Sequence, residues 1–261
     1  MSPAAHPLPD LVQYLDEYLR VREVPDDPNA FNGLQVENSG TIRRVIAAVD
    51  ASQQTIDGLP DAPGSLLLVH HGMLWDGNRP ISDRRYRKVR GLIDRDAALY
   101  SAHIPLDLHP IVGNNAVLAA RLGLAATEPF GLHKGVTIGL AGTAPPDLGT
   151  REAVADAVAR ILGIAPTGIR VIPGGPARVR RIGLITGGAG SAIAQAAAAG
   201  CDTYITGEGA HHTFFDAMEL GINVLYAGHY ATETVGVQAL AQHLQERFGL
   251  PWEFHLHPTG M

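Results

Sequence analysis

The feature that most constrains this chain is a rhythm of short apolar runs set between segments of helical periodicity. RVIAAVD at 44–50, SLLLVHH at 65–71 and AALYSAH at 97–103 fall within the first 110 residues. A strand buried on both faces reads as a nearly continuous apolar run, and such burial is typical of parallel sheets covered by helices. The intervening segments have helix patterns. In 8–22, Leu11, Leu15, Tyr18 and Leu19 share a face and Asp10 is a candidate cap, while 83–96 is rich in arginine. GNNAVLAARLGL (113–124) reads as a helix capped by Asn114 or Asn115. VPDDPNAFNGLQVENSG (24–40) is turn-rich and reads as a loop or short hairpin.

A second series of the same kind follows a proline- and glycine-rich boundary near 125–135. Strand patterns at 135–143, 168–175, 179–186, 202–207, 222–229 and 251–258 alternate with helix patterns at 150–163, 190–200, 210–221 and 231–249, with Thr150 as a cap for the first of these helices. The fold class is therefore α/β, with mostly parallel sheets. At 261 residues the chain suits one large domain or two small ones. Apolar residues make up 46% and charged residues 18%, which argues against a disordered chain. The net charge of -6 argues against a strongly basic nucleic-acid module, so nucleic acid is an unexpected partner. The N-terminus lacks a basic segment followed by an apolar one, and no run of 18 apolar residues is present; a cytoplasmic protein without a membrane partner is expected. Cys201, the single cysteine, reads as a buried apolar residue before a strand, and confines any metal site to nitrogen and oxygen ligands.

Histidine is the residue worth locating, with 12 in the chain. In α/β sheets, sites gather at the carboxyl ends of strands. His70 and His71 end one predicted strand; His103 ends another, with Asp107 four residues on; His229 ends a third, with Glu233 four residues on. Imidazole and carboxylate together suit zinc, iron or manganese. Adjacent residues in an extended segment point to opposite sides, so His70 and His71 chelate one ion poorly but could each serve a different ion. A carboxylate such as Asp107 or Glu233 can bridge two ions, the clamp used for phosphoester hydrolysis. His109, His133, His243, His255 and His257 read as structural residues, and His6 as disordered.

Three further stretches admit two readings each. TGGAGSAIAQ (186–195), with Gly187, Gly188 and Gly190, either offers backbone N–H groups to an anion or packs a strand tightly against a helix. Glu208, His211 and His212 either face a substrate cleft or lie on a solvated helix turn. The arginine run at 83–95 is a solvated helix face or subunit contact, or attracts phosphates.

At LLLVHHG, YSAHIPLD followed by GNNAVLAARLGL, DTYITGEGAHH and GHYATE, the chain resembles the Nif3-like dinuclear metal-centre proteins, whose bacterial members are often named GTP cyclohydrolase 1 type 2 homologues. The resemblance covers nearly the whole chain, with the motifs in the family's order. It implies a Nif3-like fold of two interleaved α/β lobes, assembled as a toroidal homohexamer. It implies two divalent ions per subunit, of iron, zinc or manganese, held by His70, His71, Asp107, His229 and Glu233. His103 would stand beside the metals or act as an acid or base, and catalytic roles would fall to His103 and Glu233. Because ligands come from both ends of the chain, residues 1–128 and 229–261 would form the first lobe and carry the ligands, with 129–228 as the second. The loop AFNGLQVENSG matches the family only loosely, and Glu208 stands where members often carry Asp. The function implied is hydrolysis of a nucleotide or phosphorylated small molecule through a hydroxide between the ions. The alternatives are a non-catalytic metal-binding regulatory or scaffold hexamer, and a nucleotide-binding module without metal.

Overall fold

A computed structural model describes residues 5–260. The chain separates into two compact units: residues 1–112 with Val237–His257, and Gly113–Gly236 with the tail from Pro258.

The sheet of the first unit has the strand order Trp252–Phe254, Arg44–Asp50, Ser65–His71, Ala97–Ser101, Gly33–Val36. The first three pairings are parallel and the last is antiparallel. Period-two alternation feeds two cores. Val45, Ala47, Leu66, Leu68, Ala98 and Tyr100 pack with Leu11 and Leu15 of helix Leu8–Tyr18 and with Val237, Leu240 and Leu244 of helix Thr234–Phe248. Ile46, Ala48, Leu67, Val69, Ala97 and Leu99 pack instead with Ile56 and with Leu92 of helix Asp83–Asp94. Both faces are thus covered, as the apolar runs require.

Several local expectations are corrected here. Asp10 does not cap its helix; the helix begins behind Pro7, and Asp10 lies in the first turn, where a negative charge suits the helix dipole. His6 is not disordered: with Pro7 it pairs antiparallel to Thr41–Ile42, and its Nε2 is 2.8 Å from the Phe248 carbonyl oxygen. The turn-rich 24–40 segment supplies the edge strand Gly33–Val36 rather than only a loop.

The sheet of the second unit has the order Ala125–His133, Val136–Thr143, Arg181–Leu184, Thr203–Thr206, Asn223–Tyr226, Arg170–Pro173. Only the pairings that join Arg181–Leu184, Thr203–Thr206 and Asn223–Tyr226 are parallel. The other three are antiparallel, so this sheet is mixed rather than mostly parallel. The stretch read as a boundary near 125–135 is in fact an edge strand and a tight turn. Lys134 and Gly135 both have positive φ, 47° and 87°, the condition for a type I′ hairpin. Pro129 is tolerated because an edge strand need not donate on both sides.

The unit boundaries also lie elsewhere than expected. Residues 113–128 and 229–236 belong to the second unit, not the first. Helix Asn114–Arg121 buries Leu118 and Ala119 against Val154, Val158 and Ile182. Its two asparagines do not cap it, since Gly113 holds the cap position. Instead Asn114 Oδ1 accepts from Gly236 N at 2.7 Å, and Asn115 accepts from Thr186 N at 2.9 Å while donating to Ile138 O at 2.8 Å. Thr150 does cap helix Arg151–Leu162, accepting from Ala153 N at 3.2 Å. Cys201 is buried, and burial pushes its thiol up to about 11, an unreactive thiol. No helix among the described residues is long and apolar enough to cross a membrane.

Candidate metal centre

In the first unit, three neighbouring parallel strands bring their carboxyl ends together. Asp50 lies opposite His71 in register, and Val69 opposite Ser101, two residues before His103. One ring nitrogen from each of His70, His71 and His103 falls within 4.8 Å of the others, a candidate metal-binding group. Each ring is fixed through Nδ1. His70 Nδ1 lies 2.9 Å from Ala102 O, His71 Nδ1 3.0 Å from Asp50 Oδ1, and His103 Nδ1 2.8 Å from Asp26 Oδ1. A carbonyl or an ionised carboxylate only accepts, so each Nδ1 is the donor, and Nε2 is the ring nitrogen that could take a metal. Metal-binding histidines are commonly oriented in this way. Asp107, at the end of the single turn Ile104–Asp107, places Oδ2 3.6 Å from His70 Nε2. The predicted first-unit residues are therefore assembled.

Asp26 and Asp50 are functional residues that sequence reasoning missed. Asp26 accepts from Asn32 Nδ2 at 2.8 Å and Ile104 N at 2.9 Å as well as from His103. Burial alone would raise its carboxyl, but the His103 hydrogen bond and charge, with the Asn32 and Ile104 donors, outweigh it and hold the group below the usual aspartate range. Asp26, Asp27 and His103 also form a candidate ligand group. Asp50 had a legible signal, since it ends a predicted strand beside the one ending in His71. Asp26 had none, because it sits in an irregular loop.

In the second unit, His229 opens the one-turn helix His229–Thr232 that follows strand Asn223–Tyr226. Its Nδ1 is 2.8 Å from Glu208 Oε1 and its Nε2 3.2 Å from Glu233 Oε1. The hydrogen bond to Glu233 is the largest influence on this imidazole. With Glu208 it overcomes burial and pushes the group up to about 9. Glu208 thus orients His229 through Nδ1.

The glycines of 186–190 belong to the same group, but not as an anion cradle. Gly187 N donates to Thr232 Oγ1 at 3.0 Å, Ala189 N to Thr206 Oγ1 at 3.3 Å and Gly190 N to Glu208 O at 3.0 Å. Those N–H groups are taken up inside the unit. The glycines act through size: a Cβ on Gly187 would overlap Glu233 Oε1, and one on Gly188 would lie 3.4 Å from Glu208 Oε1 and from the His229 ring. His211 and His212 are exposed at the start of helix Thr213–Leu220, with the His211 ring against Phe215. They are not drawn into the Glu208–His229–Glu233 group. Of the histidines read as structural, His109 Nδ1 accepts from Val112 N at 3.1 Å, and His243 stacks on Tyr18.

A protein of Deinococcus radiodurans named GTP cyclohydrolase 1 type 2 homolog is 45% identical over 252 residues, covering 97% of this chain and 94% of the relative. One of the same name from Pseudomonas aeruginosa is 40% identical over 244 residues, covering 93% and 94%. A crystal structure of a Thermus thermophilus protein superposes with a TM-score of 0.84 at 41% identity, covering 98% of this chain and 100% of that one. The model of one protein family matches residues 7–259, and the chain belongs to that family, Duf34/NIF3 (NGG1p interacting factor 3).

Proposed function

We propose that this protein is a metal-dependent hydrolase of a nucleotide or another phosphorylated small molecule, using two divalent ions held by His70, His71, Asp107, His229 and Glu233. The observation that carries the reading is the Nδ1 anchoring of three converging imidazoles in the first unit, each to an oxygen that fixes its proton. The donor set fits: nitrogen and oxygen only, as zinc, iron or manganese accept. Such ions, when bound, supply Lewis acidity and make a coordinated water acidic near neutral pH. The protein's own part is orientation. Ala102 O and Asp50 hold the first two rings, and Asp26 holds His103 with Nε2 as the position that takes up or gives a proton. Glu208 does the same for His229. Ring opening of GTP is the reaction that the relatives' name points to, and it belongs among the substrates tried. The homohexamer and a cytoplasmic setting belong to the same proposal; light scattering checks the first.

The test begins with metal content by mass spectrometry on protein as purified. Protein loaded with manganese, iron or zinc is then screened against GTP, phosphomonoesters and phosphodiesters beside His70→Ala and Glu233→Ala. Turnover that both substitutions abolish is expected. Metal bound without turnover in every class would favour the scaffold reading, and protein that takes up well under one ion per chain would end both.

A further inference from the structure

Directly after His71 the chain turns away from the sheet, and a cavity of about 370 Å³ lies between the Gly72–Asp76 loop and one face of helix Asp83–Asp94. That volume is in the range of small-molecule sites. Its walls hold Trp75, three cations (Arg84, Arg85 and Lys88) and a single carboxylate, Asp76. The surplus is positive although the chain as a whole carries -6.

The three cations differ in use. Arg85 is buried and structural: it binds Asp76, donates to Arg79 O and to Gly77 O, both at 2.8 Å, and so clips the 76–79 loop to the helix. Arg84 reaches Asp76 Oδ2 at 3.6 Å with its side chain mostly in solvent. Lys88, one turn further on, is half-buried. The nearby carboxylates are committed, Asp50 to His71 and Asp76 to the two arginines. Among the described residues Lys88 forms no ion pair and no hydrogen bond. Like charges at i and i+4 repel, so Arg84 and Lys88 are an unfavourable pair unless an anion joins them.

We propose that this cavity is the subsite for the phosphoryl group of the substrate, with Lys88 and Arg84 as its ligands. The proposal rests on the hydrolase reading for the word substrate, but the anion site itself stands on the first unit alone. Burial first, and the Arg84 charge second, hold the Lys88 ammonium below the usual lysine range despite Asp50 and Asp76; a dianion in the cavity offsets both. Trp75, whose ring stands edge-on to His103 with centroids 4.9 Å apart, joins the cavity to the imidazole group. A phosphate held here therefore lies next to the proposed metal centre rather than at a remote patch.

Inorganic phosphate is the probe, titrated by calorimetry into protein as purified and into a chelator-treated sample. Lys88→Ala is expected to weaken phosphate binding by roughly ten- to a hundredfold, the size of a charge-assisted hydrogen bond. Lys88→Arg should retain most of the affinity and Arg84→Ala lose less. Arg90→Ala, whose partner is the exposed Asp94, should change nothing. Binding that survives chelation and depends on Lys88 supports the subsite, even if the protein proves to hold no metal, an outcome that would end only the hydrolase reading. Phosphate binding that vanishes with the ions, or that Lys88→Ala leaves intact, overturns the subsite without touching the metal proposal. Acetate that binds as tightly as phosphate through the same residues also overturns it, since a carboxylate pocket is then the better description.

Discussion

The two donor groups, one in each unit, reach a similar chemistry by different routes. In the first, His70 is completely buried, and its ring is set by a backbone carbonyl on the neighbouring strand end. In the second, His229 is partly exposed and lies between two carboxylates, Glu208 and Glu233. In the first group only His70 is built into the core; His71 and His103 are each held by one carboxylate, Asp50 and Asp26. The second is held by charge, and an ion entering there competes with a proton. The contrast predicts different behaviour for the two histidines: His70 should matter to folding through its packing, His229 through a charge contribution that depends on pH.

The largest expected effect breaks this comparison if it fails. His70→Ala removes a fully buried side chain and strands the Ala102 carbonyl; it should cost about 2–4 kcal/mol of stability in addition to the metal. His229→Ala should lose metal as completely, but its cost in metal-free protein comes from the charge contacts with Glu233 and Glu208, so it should be largest near neutral pH and fade as pH rises through about 9. Denaturant melts at pH 7 and above pH 9, with metal analysis on both variants, check this. Equal destabilisation above pH 9 would mean that the second group is as much a part of its core as the first.

Next come the orienting acids. Asp50→Asn and Glu208→Gln keep shape and remove charge, and each should lower metal affinity by about 10–100-fold, as expected for partners behind ligating histidines. Competition against a chelating dye measures it. Because Glu208 also raises the His229 proton affinity, its replacement weakens the proton's competition, so the loss at Glu208 should be the smaller of the two. A larger loss at Glu208 would show that the proton's competition at His229 does not set the difference between the two acids.

A smaller effect isolates the glycine behind Glu233. Gly187 has φ of +72°, and a Cβ there would overlap Glu233 Oε1. Gly163 has φ of +68° in the same unit, at the end of helix Arg151–Leu162, with nothing within 4 Å of a built Cβ. Both alanine variants incur the left-handed penalty, about 1–2 kcal/mol. Only Gly187→Ala should add a several-fold loss of metal. Metal binding equal in the two variants would show that Glu233 has room to move.

These cases also show what the sequence could reveal. Buried parallel strands were legible because burial on both faces leaves a continuous apolar run, and His70, His71, His103 and His229 followed from the rule that sites gather at strand ends. Strand Ala125–His133 was not, because its residues are mostly exposed and Pro129 and Gly131 read as breakers. The division between units was misplaced because helix Asn114–Arg121 looks like any amphipathic helix; what assigns it is burial against Val154 and Val158, a long-range fact. The contact of Glu208 with His229 Nδ1 is not legible in the sequence, since only geometry shows that its oxygen reaches that nitrogen. Asp26 was invisible, because a loop aspartate has no period to betray the imidazole it holds.

The finest test concerns the proton at His229. In metal-free protein its affinity lies at about 9, above the ordinary 6.5, so at pH 7 the ring is charged and donates to both Glu233 and Glu208. The raised value stabilises the fold fully below the unfolded pKa near 6.5, and this contribution disappears as pH rises through about 9. A charged imidazole cannot bind a metal, so an ion taking Nε2 must expel the proton. His229 should therefore contribute close to one released proton per chain at pH 7, about half near pH 9, and almost none well above it. Calorimetry in buffers of different ionisation enthalpy reads that number directly. Comparison with His229→Ala isolates the contribution of this ring from the rest. Glu233→Gln removes the largest cause of the shift and should move the release curve toward lower pH, while Glu208→Gln moves it less. Release at pH 7 that is the same in wild type and His229→Ala would mean that the second group takes no ion through this nitrogen, and the contrast between a packed site and a charge-held one would fall with it.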